Sequence, residues 1–310
     1  MIVDIEAIAR HYGGKVCKGN ALIPTPGHSA RDRGTAIKAS AHAPDGCLVA
    51  CYNGTQADAL AVKAMLRADG FLSDNTSLAR ELSAAERSSI RQAELARKRY
   101  RLAAEDAAAR CAANLWATAS RADPAHPYLV AKGLEPFGIR QAGRDLLVPM
   151  VDPGFSLRNV QRIRPDSFKL FGKDARTAGL FWPHGVHLIN GIPSAGPLVI
   201  GEGFATMAAV HSATGFGVVA AMSARNLGTV ARAIRKLFPS RELILAADDD
   251  RHLADNLGLR VAKEAAQAVD GVVATPRLET SPADSSADFA DIPRGSVAGR
   301  IEAARVAKEC

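Results

Sequence analysis

Three groups of carboxylates in the last third of the chain have a spacing that can do chemistry. Glu202 sits between two glycines in VIGEGF, Asp248, Asp249 and Asp250 close the apolar run LILAA, and Asp288 and Asp291 stand three apart in DFADI. Adjacent carboxylates repel, so such a cluster at a strand end is costly without a cation among its members. All-oxygen donors select a hard divalent cation, Mg²⁺ or Mn²⁺. Residues i and i+2 at a strand end lean the same way, which favours Asp248 and Asp250 over Asp249 as ligands. Gly201 and Gly203 suit a tight strand-to-helix turn and close approach of a phosphate to backbone N–H groups. A structural reading competes: an acidic run after a strand can cap the helix that follows.

The elements that must position these acids are legible around them. PLVIG (197–201) reads as a strand before a helix over 204–213, FGVVAAM (216–222) as a strand before a helix over 226–237, and ELILAA (242–247) as a strand before a helix over 255–269. GVVAT (271–275) is a closing strand. Short apolar strands alternating with amphipathic helices give an α/β fold with an open, largely parallel sheet. Ligands in such sheets bind beyond the carboxyl ends of the strands. Glu202 follows the first of these strands, the aspartate triplet the third, and Asp288 and Asp291 the fourth, so the acids converge on one edge.

Upstream, 145–150, 156–164 and 168–171 read as strands of an antiparallel or mixed sheet. Residues 158–176 hold Arg158, Arg162, Arg164, Lys169, Lys173 and Arg176 against only two aspartates. Facing the acids, such a patch holds phosphates; on its own it equally fits a solvated hairpin. Residues 76–121 contain neither Gly nor Pro and predict long helix, broken once near Ser88, as a packing or linking element. Its Arg97-Lys98-Arg99 run is a second candidate for phosphate contact. The first 72 residues form a small mixed module: a helix over 2–11, strands over 20–24, 35–39 and 47–51, and a helix over 55–69 ended by Gly70. The organisation expected is therefore an N-terminal module (1–72), a helical linker (73–122), a basic α/β part (123–195), the parallel-sheet domain (196–295) and a helical tail (296–310).

With 310 residues and 47% hydrophobic composition, the chain can build two or three cored domains. A net charge of +7 favours a polyanionic partner. The sequence shows no signal-peptide core and no run of 18 apolar residues, so no membrane partner is expected. Its five cysteines are scattered, which points to a reducing, cytoplasmic compartment.

The segments LVIGEGFATMAAV, LILAADDDRHLADNLGLRVAKEAA and ADFADI resemble a Toprim domain, the fold of DnaG-type primases, topoisomerases and some nucleases. The resemblance implies that Glu202, Asp248 and Asp250 are catalytic metal ligands, with Asp288 and Asp291 holding or tuning a further ion. The chain departs from the family at Thr206, where DnaG-type primases often carry Asp. RDLLVPMVDPGFSLRNVQRIRPDSFKLFGKDARTAGLFW (144–182) and HPYLVAKGL (126–134) resemble the part that precedes Toprim in such primases, especially those of mobile elements. That likeness implies nucleotide and template binding by the basic residues at 158–176. The N-terminal module is similar to a worn primase zinc ribbon. His28 and Cys51 fall in ligand places while Thr25 and Gly54 stand where the other two ligands would be. Structural zinc takes four N or S ligands, so zinc is not expected there. Cys17, His42, Cys47 and Cys51 leave a rearranged site open, although an isolated cysteine is more often a small buried hydrophobe. The implied function is a primase of a plasmid, phage or integrative element, acting on single-stranded DNA and nucleoside triphosphates with Mg²⁺ or Mn²⁺, beside a replicative helicase or initiator. A metal-dependent Toprim nuclease and a non-catalytic single-stranded-DNA-binding accessory protein are the alternatives.

Overall fold

A computed structural model of the chain describes residues 3–40, 43, 45–52, 56–72, 84–186, 188–189, 192–193, 196–249, 256–276 and 288–309. It divides into two compact units, residues 1–103 and 104–310, with the boundary inside a long helix.

The first unit orders its elements as α1 (Ile5–His11), β1 (Lys15–Cys17), β2 (Asn20–Ile23), β3 (Thr35–Ala39), β4 (Cys47–Cys51) and α2 (Gln56–Ala68). The four strands pair as an antiparallel meander. Asp4 caps α1 by accepting the N–H groups of Glu6 and Ala7. Ile8, Ile23, Ile37, Cys47, Val62 and Leu66 are fully buried and join helices to sheet. Lys63 and Arg67, one turn apart on α2, both hold Asp45 just before β4. Helix α3 (Ala84–Thr118) runs unbroken through Ser88, contrary to the break expected there. Ser88 is exposed, and one serine costs little beside the Ala, Glu and Arg around it.

The second unit opens with β5 (Ser120–Arg121), α4 (Pro127–Lys132), β6 (Arg140–Ala142), β7 (Asp145–Val151), β8 (Leu157–Ile163) and β9 (Lys169–Phe171). These strands form a five-stranded antiparallel sheet in sequence order, with a register shift at Met150/Val151. Next come β10 (Trp182–His184) and the small pair β11 (Leu188–Ile189) and β12 (Ile192–Pro193). The remainder is β13 (Leu198–Gly201), α5 (Phe204–Thr214), β14 (Gly217–Ala220), α6 (Ala224–Leu237), β15 (Leu243–Ala246), α7 (Leu257–Ala268), β16 (Val272–Ala274) and α8 (Arg294–Glu309). The second sheet runs β10-β14-β13-β15-β16, parallel except for β10 at its edge.

Strand periodicity explains why the three central strands, β13, β14 and β15, are fully buried. Val199, Val218, Ala220, Ile244 and Ala246 point into a core shared with α5, α8 and the antiparallel sheet. Leu198, Ile200, Val219, Leu243 and Leu245 point into a second core with α6 and α7. Side chains alternate by face, so a strand between two helical layers must be apolar throughout. Helix α8 is part of the first core, through the fully buried Val297 and Ile301.

Candidate active-site cleft

The chain leaves β13 for β14 on one side, then crosses back to β15 on the other. A right-handed crossover therefore puts α5 on one face and α6 on the opposite face, and opens a crevice at the carboxyl ends of β13 and β15. Gly201 and Ala246 are register partners at those ends. Glu202 is the next residue after β13 and Asp248 the second after β15, so the switch point brings the two carboxylates together. Both line one cleft, with Gly203, Ala205, Thr206, Tyr128, Lys132, Ser167, Lys169 and Asp288.

Two glycines permit this approach. A Cβ on Gly201 would lie 2.5 Å from the Met207 side chain and 3.2 Å from the Ala246 carbonyl. A Cβ on Gly258, in the first turn of α7, would lie 2.6 Å from the Asp248 carbonyl oxygen. Asp249 has a different task. It is fully buried and accepts a hydrogen bond from Asn256 Nδ2 at 2.8 Å, while Asn256 Oδ1 caps α7 at Leu259 N–H. The helix cap is therefore Asn256 and not a member of the triplet; Asp249 holds that cap in place, and Asp248 lines the cleft. Asp250 lies outside the described residues.

Asp288 and Asp291 have a partner that sequence reading did not supply. Lys132 Nζ lies 2.6 Å from Asp291 Oδ1 and 3.8 Å from Asp288 Oδ2. Burial alone would depress the Lys132 ammonium, but the Asp291 hydrogen bond and the charges of Asp288, Asp291 and Asp248 outweigh it, and its pKa lies above the ordinary lysine value. Burial raises the Asp288 carboxyl above the usual range; Asp291 adds to this, and Lys132, the Ala290 N–H and Lys169 oppose it. Tyr128, one turn before Lys132 on α4, is 2% exposed. Tyr128 lines the cleft, and its hydroxyl, buried from solvent, has no hydrogen-bond partner among the described residues. Burial first, then Asp288 and Asp291, push its pKa up to about 12, so it stays a protonated donor at neutral pH. His126 fixes this helix: Nδ1 accepts the Tyr128 N–H, which leaves Nε2–H to donate to the Arg144 carbonyl at 2.9 Å.

The basic residues are not gathered as one patch facing the acids. Only Lys169 reaches the cleft. Arg158 pairs with Asp106 at 2.6 Å and Arg162 with Asp145 at 2.9 Å. Arg164 lies over the ring of Phe168, 5.5 Å from its centroid. Lys173 is exposed, and Arg176 is half-buried with its carbonyl bound by Asn159 Nδ2. The loop before β10 is anchored by a residue with no sequence signal, Asn226. Its Oδ1 accepts the Gly179 N–H and its Nδ2 donates to the Ala221 and Leu180 carbonyls.

In the first unit, Thr35 bridges two of the places that resemble zinc ligands, Thr25 and Cys51. Thr35 Oγ1 donates to Thr25 Oγ1 at 3.1 Å and contacts Cys51 Sγ at 3.3 Å. Thr25 and Thr35 are buried. Asp32 accepts the Thr25 and Gly34 N–H groups and is held down to about 2, first by Thr25. His28 is exposed. His42 and Gly54 lie outside the described residues. Among the described residues, no three His, Cys, Asp or Glu side chains gather as a metal-holding group. In the cleft, the donor chemistry of Glu202 and Asp248 fits a hard cation that completes its shell with water and substrate oxygens, as Mg²⁺ commonly does.

The class defined by this sheet, switch point and acid pair has a name: residues 197–298 match the Toprim domain family. Two curated relatives, each named DNA primase TraC of Escherichia coli, are 39% and 38% identical over 157 residues, or 48% of this chain. The chain spans only 11% and 15% of their lengths. The RNA polymerase domain of Mycobacterium tuberculosis primase DnaG, solved with double-stranded DNA, is similar with a TM-score of 0.41 and 17% identity, over 65% of this chain and 80% of that one. No helix among the described residues is long and apolar enough to cross a membrane.

Proposed function

We propose that this chain is a primase-type nucleotidyltransferase, which joins nucleotides on a single-stranded DNA template with loss of pyrophosphate. The observation that carries the reading is the cleft at the switch point of a Toprim domain, where Glu202 and Asp248 stand opposite Lys132 and Lys169. Its proposed setting is the replication or transfer of a plasmid, phage or integrative element in the cytoplasm, beside a replicative helicase or initiator; the names of the curated relatives support the primase activity alone.

Glu202 and Asp248, with Asp250 beyond them, would hold Mg²⁺ or Mn²⁺. A divalent ion there supplies neutralisation of triphosphate charge and a lowered pKa at the attacking 3′-hydroxyl. The chain's own residues do the positioning. Lys169 binds phosphate at the cleft mouth. The Tyr128 hydroxyl, a buried donor, hydrogen-bonds a substrate oxygen. Outside the cleft, Arg164, Lys173, Arg158, Arg162 and Arg176 attract template phosphates, and the exposed rings of Phe168 and Phe171 offer bases a stacking surface.

Substrate requirement tests this reading against its rivals. The protein is incubated with labelled single-stranded DNA and Mg²⁺ or Mn²⁺, with and without nucleoside triphosphates. New oligomers that need the triphosphates support the primase. Cleavage without triphosphates supports the nuclease, and intact DNA whose binding weakens steeply with salt supports the accessory protein.

A further inference from the structure

We infer that Lys132 is a built-in cation of the cleft: its ammonium takes the place of a second divalent ion at Asp288 and Asp291, leaving one metal, held at Glu202 and Asp248. This rests on the metal-dependent reading above and changes the role that resemblance gives to Asp288 and Asp291.

All four oxygens of the aspartate pair are engaged by the protein. Asp288 Oδ1 accepts the Ala290 N–H at 2.6 Å, and Asp291 Oδ2 accepts the Asp288 N–H at 3.3 Å. The remaining two, Asp288 Oδ2 and Asp291 Oδ1, face Lys132 Nζ. A divalent ion bound at those same two oxygens would sit against an ammonium at contact range, with twice its charge and the same sign. The backbone that carries the lysine is anchored. Its helix is N-capped by His126 and closed by Gly133 in the left-handed conformation, and Leu129 is fully buried. Arg294, three residues after Asp291, donates to the Gly133 carbonyl. The turn at 288–294 is thus tied to the end of α4 at two points, one of them the Lys132–Asp291 pair. The charge of Asp248 also reaches Lys132, so the ammonium lies within the field of the proposed metal site.

A merely structural ion pair would leave metal stoichiometry unchanged, so stoichiometry is the readout. Mn²⁺ binding is titrated on the full chain, with free Mn²⁺ followed by electron paramagnetic resonance. The inference expects one Mn²⁺ per chain in the wild type, none in Glu202→Gln, and two in Lys132→Gln. It expects one still in the Asp288→Asn/Asp291→Asn double variant, which decides the matter even if Lys132→Gln fails to fold. Two Mn²⁺ in the wild type, falling to one in the double variant, would overturn it while leaving the metal reading intact. One Mn²⁺ in a folded Lys132→Gln would also overturn it. No Mn²⁺ in the wild type would remove the metal reading itself, and the inference with it.

Discussion

Residues 25, 35 and 51 of the first unit bring two hydroxyls and a thiol into contact, whereas the cleft of the second unit sets carboxylates around an ammonium. In the first, the groups are neutral and hydrogen-bonded to one another, and the work of folding falls to a core of Ile8, Ile23, Ile37, Val62 and Leu66. In the second, charged groups persist beside a core that does not need them. A buried neutral cluster is stable once satisfied, while partly buried carboxylates and an unpartnered tyrosine hydroxyl cost stability. Features that oppose folding and still recur in one cleft are where function is to be sought.

The largest break in this comparison should come from Gly258→Ala. Its new Cβ would meet the Asp248 carbonyl, so the start of α7 and the Asp248 backbone must move apart, which displaces Asp248 in the cleft. The expected costs are about 1–3 kcal/mol of stability and roughly 10–100-fold in Mn²⁺ affinity, measured by urea denaturation and metal titration. Stability loss without a change in Mn²⁺ affinity would mean that Asp248 does not bind the ion.

Thr35→Val probes the other region. It removes the hydroxyl that donates to Thr25 Oγ1 and contacts Cys51 Sγ, while Thr25 keeps its side-chain hydrogen bond to Asp32, so the cost is that of one hydrogen bond, about 0.5–1.5 kcal/mol. Thiol labelling can follow this unit alone. Burial first, then Asp45, push the Cys47 thiol up to about 11, so it reacts only on unfolding, and the mutation should expose it at lower denaturant. Exposed Cys17 and Cys111 should react in the native state.

Tyr128→Phe should act with opposite signs on folding and binding. Losing an unsatisfied buried hydroxyl should raise stability by about 1 kcal/mol, while nucleotide affinity falls roughly tenfold, the worth of one hydrogen bond. Unchanged affinity would leave Tyr128 a packing residue.

Metal removal sharpens the contrast further. Both tryptophans, Trp116 and Trp182, lie in the second unit, so their fluorescence reports that unit's melting. Excess Mn²⁺ at about 100 times its Kd should stabilise it by about 2.7 kcal/mol; chelator should reverse this and leave Cys47 protection unchanged.

The smallest effect expected is one of pH. The folded-state pKa of Asp32 is depressed, so its contribution is complete above about pH 4, the ordinary aspartate range, and is lost as pH falls through about 2. Asp32→Asn should flatten the acid limb of Cys47 exposure.

The parallel sheet was legible because its strands are short, wholly apolar and spaced by helices, and β3 and β4 carry the boundaries expected at 35–39 and 47–51. Glu202 and Asp248 were legible because a strand end fixes where a side chain can be. Lys132 and Tyr128 were not: Lys132 meets Asp291 across 159 residues, and no local pattern says which lysine on a short helix will reach a distant turn. The placement of the arginines was not legible for a related reason. Alternation puts Arg158 and Arg162 on one face of β8, but only tertiary structure decides that this face meets Asp106 and Asp145 instead of the cleft.

The most direct test of the central claim is template-dependent synthesis by the wild type, Glu202→Gln and Asp248→Asn, side by side. Purified proteins receive single-stranded DNA, labelled nucleotides and Mg²⁺ or Mn²⁺, and short products are resolved on a gel. The account predicts oligomers from the wild type and a loss of at least about 10²-fold in each variant, as when a group that stabilises transition-state charge is removed. Undiminished synthesis by either folded variant, or none from the wild type with either metal on several templates, would contradict it.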